Sequence, residues 1–119
     1  MKENILKDKS YLFSVRIVNL SQFLVKEKKE FVLSKQILRS GTSVGANIRE
    51  AEYGQSKADF IHKLSISLKE ANETEYWLDL LFDTNYLEDK LYNSLKNDIK
   101  ELLRLLISII KKSKSNLRK

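Results

Sequence analysis

Across its 119 residues the chain contains no proline. Proline lacks the amide donor that a helix needs and its ring clashes with the preceding turn, so helices break or kink where it falls. At an average usage of about 5% a chain this long would carry several such breaks. Their absence predicts long, uninterrupted helices. Three glycines point the same way, because an all-β domain of this size needs more turn residues. With no cysteine, disulfides, thiol nucleophiles and thiolate metal sites are excluded. With His62 as the sole histidine, every multi-histidine metal site is excluded too. An apolar content of 42% and a charged content of 32% suit one globular domain with one core.

Apolar spacing divides the chain into four helical segments, about 8–27, 34–53, 56–83 and 88–113. In the first, Phe13, Ile17, Leu20 and Leu24 step by four, three and four and share a face, with Asp8 or Ser10 as the expected start. Ser34 is the expected N-cap of the second, with Leu33 and Leu38 spaced as a hydrophobic staple. Its core row is Ile37, Gly41, Val44, Ile48 and Ala51, and Gly54 stands where a left-handed C-terminal residue is expected. Ser56 and Asp59 form a capping-box pattern ahead of Ile61, Leu64, Leu68, Ala71, Leu78 and Leu81, and Asp83-Thr84-Asn85 reads as a turn. The fourth row is Leu95, Ile99, Leu102, Leu106 and Ile109. Short connections make consecutive helices antiparallel, and a mean step of 3.5 matches left-handed bundle packing. The expectation is a single all-α domain over 1–119, an up-down-up-down antiparallel four-helix bundle. No apolar run reaches the roughly 20 residues of a membrane span, and the N-terminus lacks a signal-like stretch, so a soluble, cytoplasmic protein is expected.

The third and fourth segments hold more apolar residues than a lone bundle uses. From Leu102 to Ile110, seven of nine residues are large and apolar, against about three in seven for an ordinary bundle helix. Tyr76, Trp77, Leu80, Leu103, Leu105, Ile107 and Ile110 cannot all face one core and are expected to form a self-association surface.

Charge is unevenly spread. Residues 56–90 carry four bases and eight acids, whereas residues 91–119 carry eight bases and two acids. Lys111, Lys112, Lys114, Arg118 and Lys119 are the candidate nucleic-acid contacts, since a basic end attracts polyanions at long range.

Catalytic and cofactor patterns are weak. Gly41-Thr42-Ser43-Val44-Gly45 has three residues between its glycines and no following lysine, unlike a phosphate loop; close approach of a neighbouring helix explains these small residues better. Asp59-x-x-His62 cannot build a di-iron centre with one histidine. Glu70, Glu73, Glu75 and Asp79 read as a solvated or salt-bridged face, so neither an enzyme nor a cofactor or metal site is expected. Asn47 and Glu50 flank the core row and are expected partly buried, fixing helix register, with Arg39 and Glu70 as candidate partners.

The run Gln36-Ile37-Leu38-Arg39-Ser40-Gly41-Thr42-Ser43-Val44-Gly45-Ala46-Asn47-Ile48-Arg49-Glu50-Ala51 resembles the signature of four-helix-bundle proteins related to the 23S rRNA intervening-sequence protein. The stretch from Asp59 to Ala71 and on through Glu75-Tyr76-Trp77-Leu78 is similar to the second block of that family. Ala51 stands where the family often has glycine. The resemblance implies a homopentameric barrel, and a similar protein serves diversity-generating retroelements by binding reverse transcriptase and nucleic acid through a basic surface. It supplies no catalytic residues; Arg39, Gly41, Gly45, Asn47, Glu50 and Glu70 fall in the matching blocks and are carried over as structural. The expected protein is thus a non-enzymatic oligomer, with pentamer the number the resemblance implies, that binds RNA or a ribonucleoprotein. Its rival is an oligomeric protein-binding scaffold without nucleic-acid contact.

Overall fold

A computed structural model describes residues 2–117 as four α-helices joined by short loops: α1 (Lys2–Lys26), α2 (Leu33–Glu52), α3 (Lys57–Asp83) and α4 (Asp89–Leu117). Each helix packs on the next and α4 returns to α1, so the chain runs up, down, up and down in a rod of 51 × 22 × 20 Å. The α1–α4 seam is the most open of the four. The core follows the expected rows: Phe13, Ile17 and Leu24 from α1, Ile37 and Val44 from α2, Leu64, Ala71 and Leu78 from α3, and Leu95, Ile99, Leu102 and Leu106 from α4 are all buried. Leu68 is only half-buried, and Thr74 fills the skipped position of the α3 row.

Small polar residues let α2 and α3 approach through this core. Buried Ser67 donates its hydroxyl to the Val44 carbonyl at 2.8 Å, and Thr74 donates to Ser40 Oγ at 3.0 Å or to the Glu70 carbonyl at 2.7 Å. Among the described residues no buried side-chain polar atom lacks a partner. That satisfaction makes the buried hydroxyls tolerable, because an unpaired one costs about 1–3 kcal/mol.

Three local expectations are corrected. α1 begins at Lys2, not near residue 8: Leu6 is buried in the core and Lys2 Nζ donates to Ser108 Oγ at 2.9 Å, so the first two turns have something to pack against. Ser34 is not the N-cap. It lies inside the first turn of α2, and the capping group is the carboxylate of Glu30, which accepts from the Ser34 amide at 2.7 Å and the Val32 amide at 3.3 Å. Gly54 does not adopt a left-handed conformation; the positive-φ residues are Lys29 (φ 54°) and Asn85 (φ 70°). At Asn85 the end of α3 closes as a Schellman motif, with the Tyr86 amide donating to the Leu81 carbonyl at 2.9 Å. Ser56 does cap α3, accepting from the Asp59 amide at 3.0 Å.

Candidate nucleic-acid interface

α4 carries its residues in rows set by the helical repeat. The row Asp98, Glu101, Leu105 and Ser108 turns toward α1: Asp98 Oδ2 pairs with Arg16 at 2.6 Å and Glu101 with Lys9 at 3.2 Å. Lys96 is drawn toward α3, where it pairs with Asp79 at 2.6 Å and Glu75 at 3.2 Å. Burial opposes its charge, but the hydrogen bonds it donates to Asp79 and Glu75 overcome that and raise its pKa. Burial likewise works to raise Asp79, yet hydrogen bonds from Lys96 and Tyr92 hold its carboxyl below the ordinary 3.8.

Between these two committed rows lies a third, Lys100, Arg104, Ile107, Lys111 and Lys114, spaced four, three, four and three, and every member is exposed. No acid follows Glu101 anywhere in the sequence. Lys111, Lys112 and Lys114 of the expected set therefore lie exposed on the last turns of α4; Arg118 and Lys119 lie outside the described residues. Sequence reasoning left out Lys100 and Arg104, although their offset from Lys111 and Lys114 was the available signal. Because α4 ends where α1 begins, Lys2 joins this basic end of the rod.

The second polar cluster bridges α2 and α3. Arg39 donates to Glu70 Oε2 at 3.0 Å and to Glu73, and Trp77 Nε1 donates to Glu73 Oε2 at 2.9 Å. The Trp77 bond first, with Arg39 beside it, holds the Glu73 carboxyl below its usual range, while the bond to Glu73 raises Arg39. The geometry is that of an inter-helix clamp on a half-exposed surface. Asn47 does not reach this cluster: it is half-buried and its Nδ2 donates to the Ser43 carbonyl at 2.8 Å. Glu50, expected partly buried, is exposed and meets Lys63 at 3.4 Å, because the position just before Ala51 turns away from the core.

Gly41 and Gly45 lie inside α2 against α1. A Cβ at Gly41 would stand 2.8 Å from Ile17 Cγ2, and one at Gly45 would stand 3.0 Å from Ser14 Oγ and 3.2 Å from the Ser10 carbonyl. Thr42 and Ser43 direct their hydroxyls to the carbonyls of Leu38 and Arg39, so the segment is regular helix and presents no loop of free amides to a phosphate.

The outward apolar residues are distributed differently from expectation. Tyr76 (60% exposed) and Ile107 (53%) do face outward, and Trp77, Leu80, Leu103 and Leu105 are half-buried. Ile110, at 7%, belongs to the core of its own bundle. The larger exposed set is on α1, with Ile5, Tyr11, Leu12 (63%), Val15, Val18, Phe23 and Val25. Its signal in the sequence was the run of valines and Leu12 between the core positions, which made the helix apolar on two faces.

A hollow of about 70 Å³ lies at the basic end of the rod among Leu6, Ile48, Phe60, Leu64 and Ile109. It is less than half the volume of an engineered cavity that admits benzene, about 150 Å³. Among the described residues no group of three or more potential metal ligands converges, and no helix is long and apolar enough to cross a membrane.

These features define a class: a four-helix bundle whose core is filled by its own side chains and whose polar chemistry lies on its flanks. The chain belongs to the family of the 23S rRNA-intervening sequence protein, whose model matches residues 2–108. Among solved structures it is similar to the crystal structure of a protein of unknown function from the S23 ribosomal protein family of Bacteroides thetaiotaomicron. The two are 68% identical with a TM-score of 0.92, over 93% of this chain and 99% of that one. No curated protein matches.

Proposed function

We propose that the protein is a non-enzymatic, self-associating bundle that binds RNA, or a ribonucleoprotein, through its basic end. The observation that carries this reading is the unopposed charge of α4: after Glu101 every charged residue is a base, and Arg104, Lys111, Lys112 and Lys114 are all exposed. Charge of one sign without counter-ions in reach steers a polyanion toward the surface. Family membership supports this reading.

Self-association is supported by the exposed apolar face of α1 together with Tyr76 on the diagonally placed α3. An apolar face on α1 and an exposed Tyr76 on the opposite corner of the rod suit heterologous contacts, which form a ring where the rotation closes. The pentamer implied by the family resemblance is such a ring, and it would gather the basic ends of its subunits.

The test is a binding titration against rRNA-derived and random RNA at two salt concentrations. Counter-ion release makes log K fall with log salt, with a slope near −0.7 per phosphate contacted on a single strand. Deletion of 111–119 should weaken binding to every sequence and flatten that slope. Absence of any salt-dependent RNA binding would instead favour a protein-binding scaffold, for which the exposed α1 face is the supporting feature.

A further inference from the structure

We infer that the solvent flank of α4, from Lys100 to Lys114, is a docking surface for the phosphate backbone of double-stranded nucleic acid, read without regard to sequence. The inference rests on the proposed RNA binding and names the surface and the form of the ligand.

The first argument is length and uniformity. Lys100, Arg104, Lys111 and Lys114 lie on one exposed row of a single unbroken helix. At 1.5 Å per residue the row is about 21 Å long. Of the neighbouring acids, only Asp79 comes within Coulombic reach of the row, at Lys100. Glu101 and Asp98 are occupied by Lys9 and Arg16 on the α1 side, and Glu75 and Asp79 are held by Lys96 at the other end. A straight, stiff row of like charges complements a polyanion that is itself stiff over that length. A duplex carries one charge per roughly 1.7 Å of axis.

The second argument concerns what the flank lacks. No aromatic residue occurs after Tyr92, and the Tyr92 ring is stacked on Phe82 at 4.0 Å within the fold. Single-strand binders rely on exposed aromatic platforms on which bases stack. This surface has none, so unpaired bases gain nothing from it. Between Lys100 and Lys114 there is no asparagine or glutamine for base edges, the nearest being Asn97 just before this stretch and Asn116 just after it, so within it the contacts go to phosphate.

The third argument separates nucleic acid from an acidic protein. Protein interfaces are depleted of lysine and anchored by aromatic residues at their core. The flank has three lysines and one arginine around a single apolar residue, Ile107.

The experiment uses the full chain and fluorescence anisotropy with a random 20-base-pair RNA duplex, its single strand, and poly-glutamate, between 50 and 200 mM salt. Lys100→Gln with Arg104→Gln is compared with Lys28→Gln with Lys29→Gln at the opposite end of the rod. Helicity is checked by circular dichroism on the same samples, and Arg104→Lys serves as the charge-conserving variant. The expected result is a preference for duplex over single strand. The flank pair should reduce the salt slope by about two and the affinity by about tenfold, since each lost phosphate contact lowers the slope by about one. Arg104→Lys and the Lys28/Lys29 pair should leave both near the parent values. An unchanged slope in the flank pair, with binding lost on deletion of 111–119, would overturn the flank while leaving the proposed function standing. Equal binding of duplex and single strand, or equal binding of poly-glutamate, would overturn the duplex assignment. Failure to bind any RNA would sink both readings.

Discussion

Ile17 is fully buried, and its branched side chain lies where a Cβ at Gly41 would have to go, 2.8 and 2.9 Å from two of its carbons. A helical glycine is ordinarily about 1 kcal/mol worse than alanine, so an unconstrained Gly41→Ala would stabilise. Here the sign should reverse. Gly41→Ala is expected to lower stability by about 1–3 kcal/mol through overpacking, read as a drop in the thermal midpoint. Gly45→Leu should lose several kcal/mol, because its neighbours include the Ser10 backbone, which cannot rotate away. A variant as stable as the parent at both positions would mean that α1 can shift freely on α2. The tight approach at Gly41 was legible in the sequence because glycine stood in an otherwise apolar core row. The exposure of Glu50 was not, since a polar residue beside a core position can turn either way, and here it turns out to meet Lys63.

The α3–α4 clamp of Asp79, Lys96, Glu75 and Tyr92 gives that helix pair a defined pH window. The Asp79 pKa is depressed in the fold, so its contribution is present above the unfolded value of 3.8 and is lost as pH falls through the lower folded value. The Lys96 pKa is raised, so its contribution is complete below the unfolded 10.5 and is lost as pH rises through the folded value. The contribution of this clamp should therefore be level between about pH 5 and 9 and fall at both ends. Asp79→Asn should flatten the acid limb in urea unfolding measured against pH; an acid limb as steep as the parent's would place the titrating groups elsewhere. At the start of α2, Glu30→Ala removes the carboxylate from two amides and should cost about 0.5–2 kcal/mol, while Glu30→Gln should recover part of it. The rows of three and four made the helices themselves readable. Their ends were harder, because a cap depends on which nearby carboxylate the loop folds back: Glu30 lies four residues before Ser34, inside a charged stretch that carries no apolar period. Asn85 was readable as part of a turn, while Lys29 was not, because lysine carries no local preference for its positive φ.

The whole molecule presents two unlike surfaces, an apolar face on α1 and a basic flank on α4, across one seam. If the apolar face mediates assembly, Leu12→Glu with Val15→Glu should bring the mass seen by light scattering to near 13.9 kDa while leaving the helical signal intact. Leu105→Glu with Ile107→Glu tests whether α4 adds to that assembly, and a mass of 13.9 kDa for the parent would sink self-association altogether. The openness of the α1–α4 seam bears on how the molecule breathes. Across it, Arg16, Lys9 and Lys2 reach for Asp98, Glu101 and Ser108, and exposed pairs of that kind contribute at most about 1 kcal/mol each. α1 therefore makes its closest approach to α2, at Gly41 and Gly45, and meets α4 mainly through buried side chains such as Leu6 and Phe13. Amide hydrogens in the first turns of α1 should exchange with solvent sooner than those in the middle of α3, through partial openings along the α1–α4 seam. Neighbouring subunits seated on the outer face of α1 would close that opening, so the exchange rate of a single helix would report assembly.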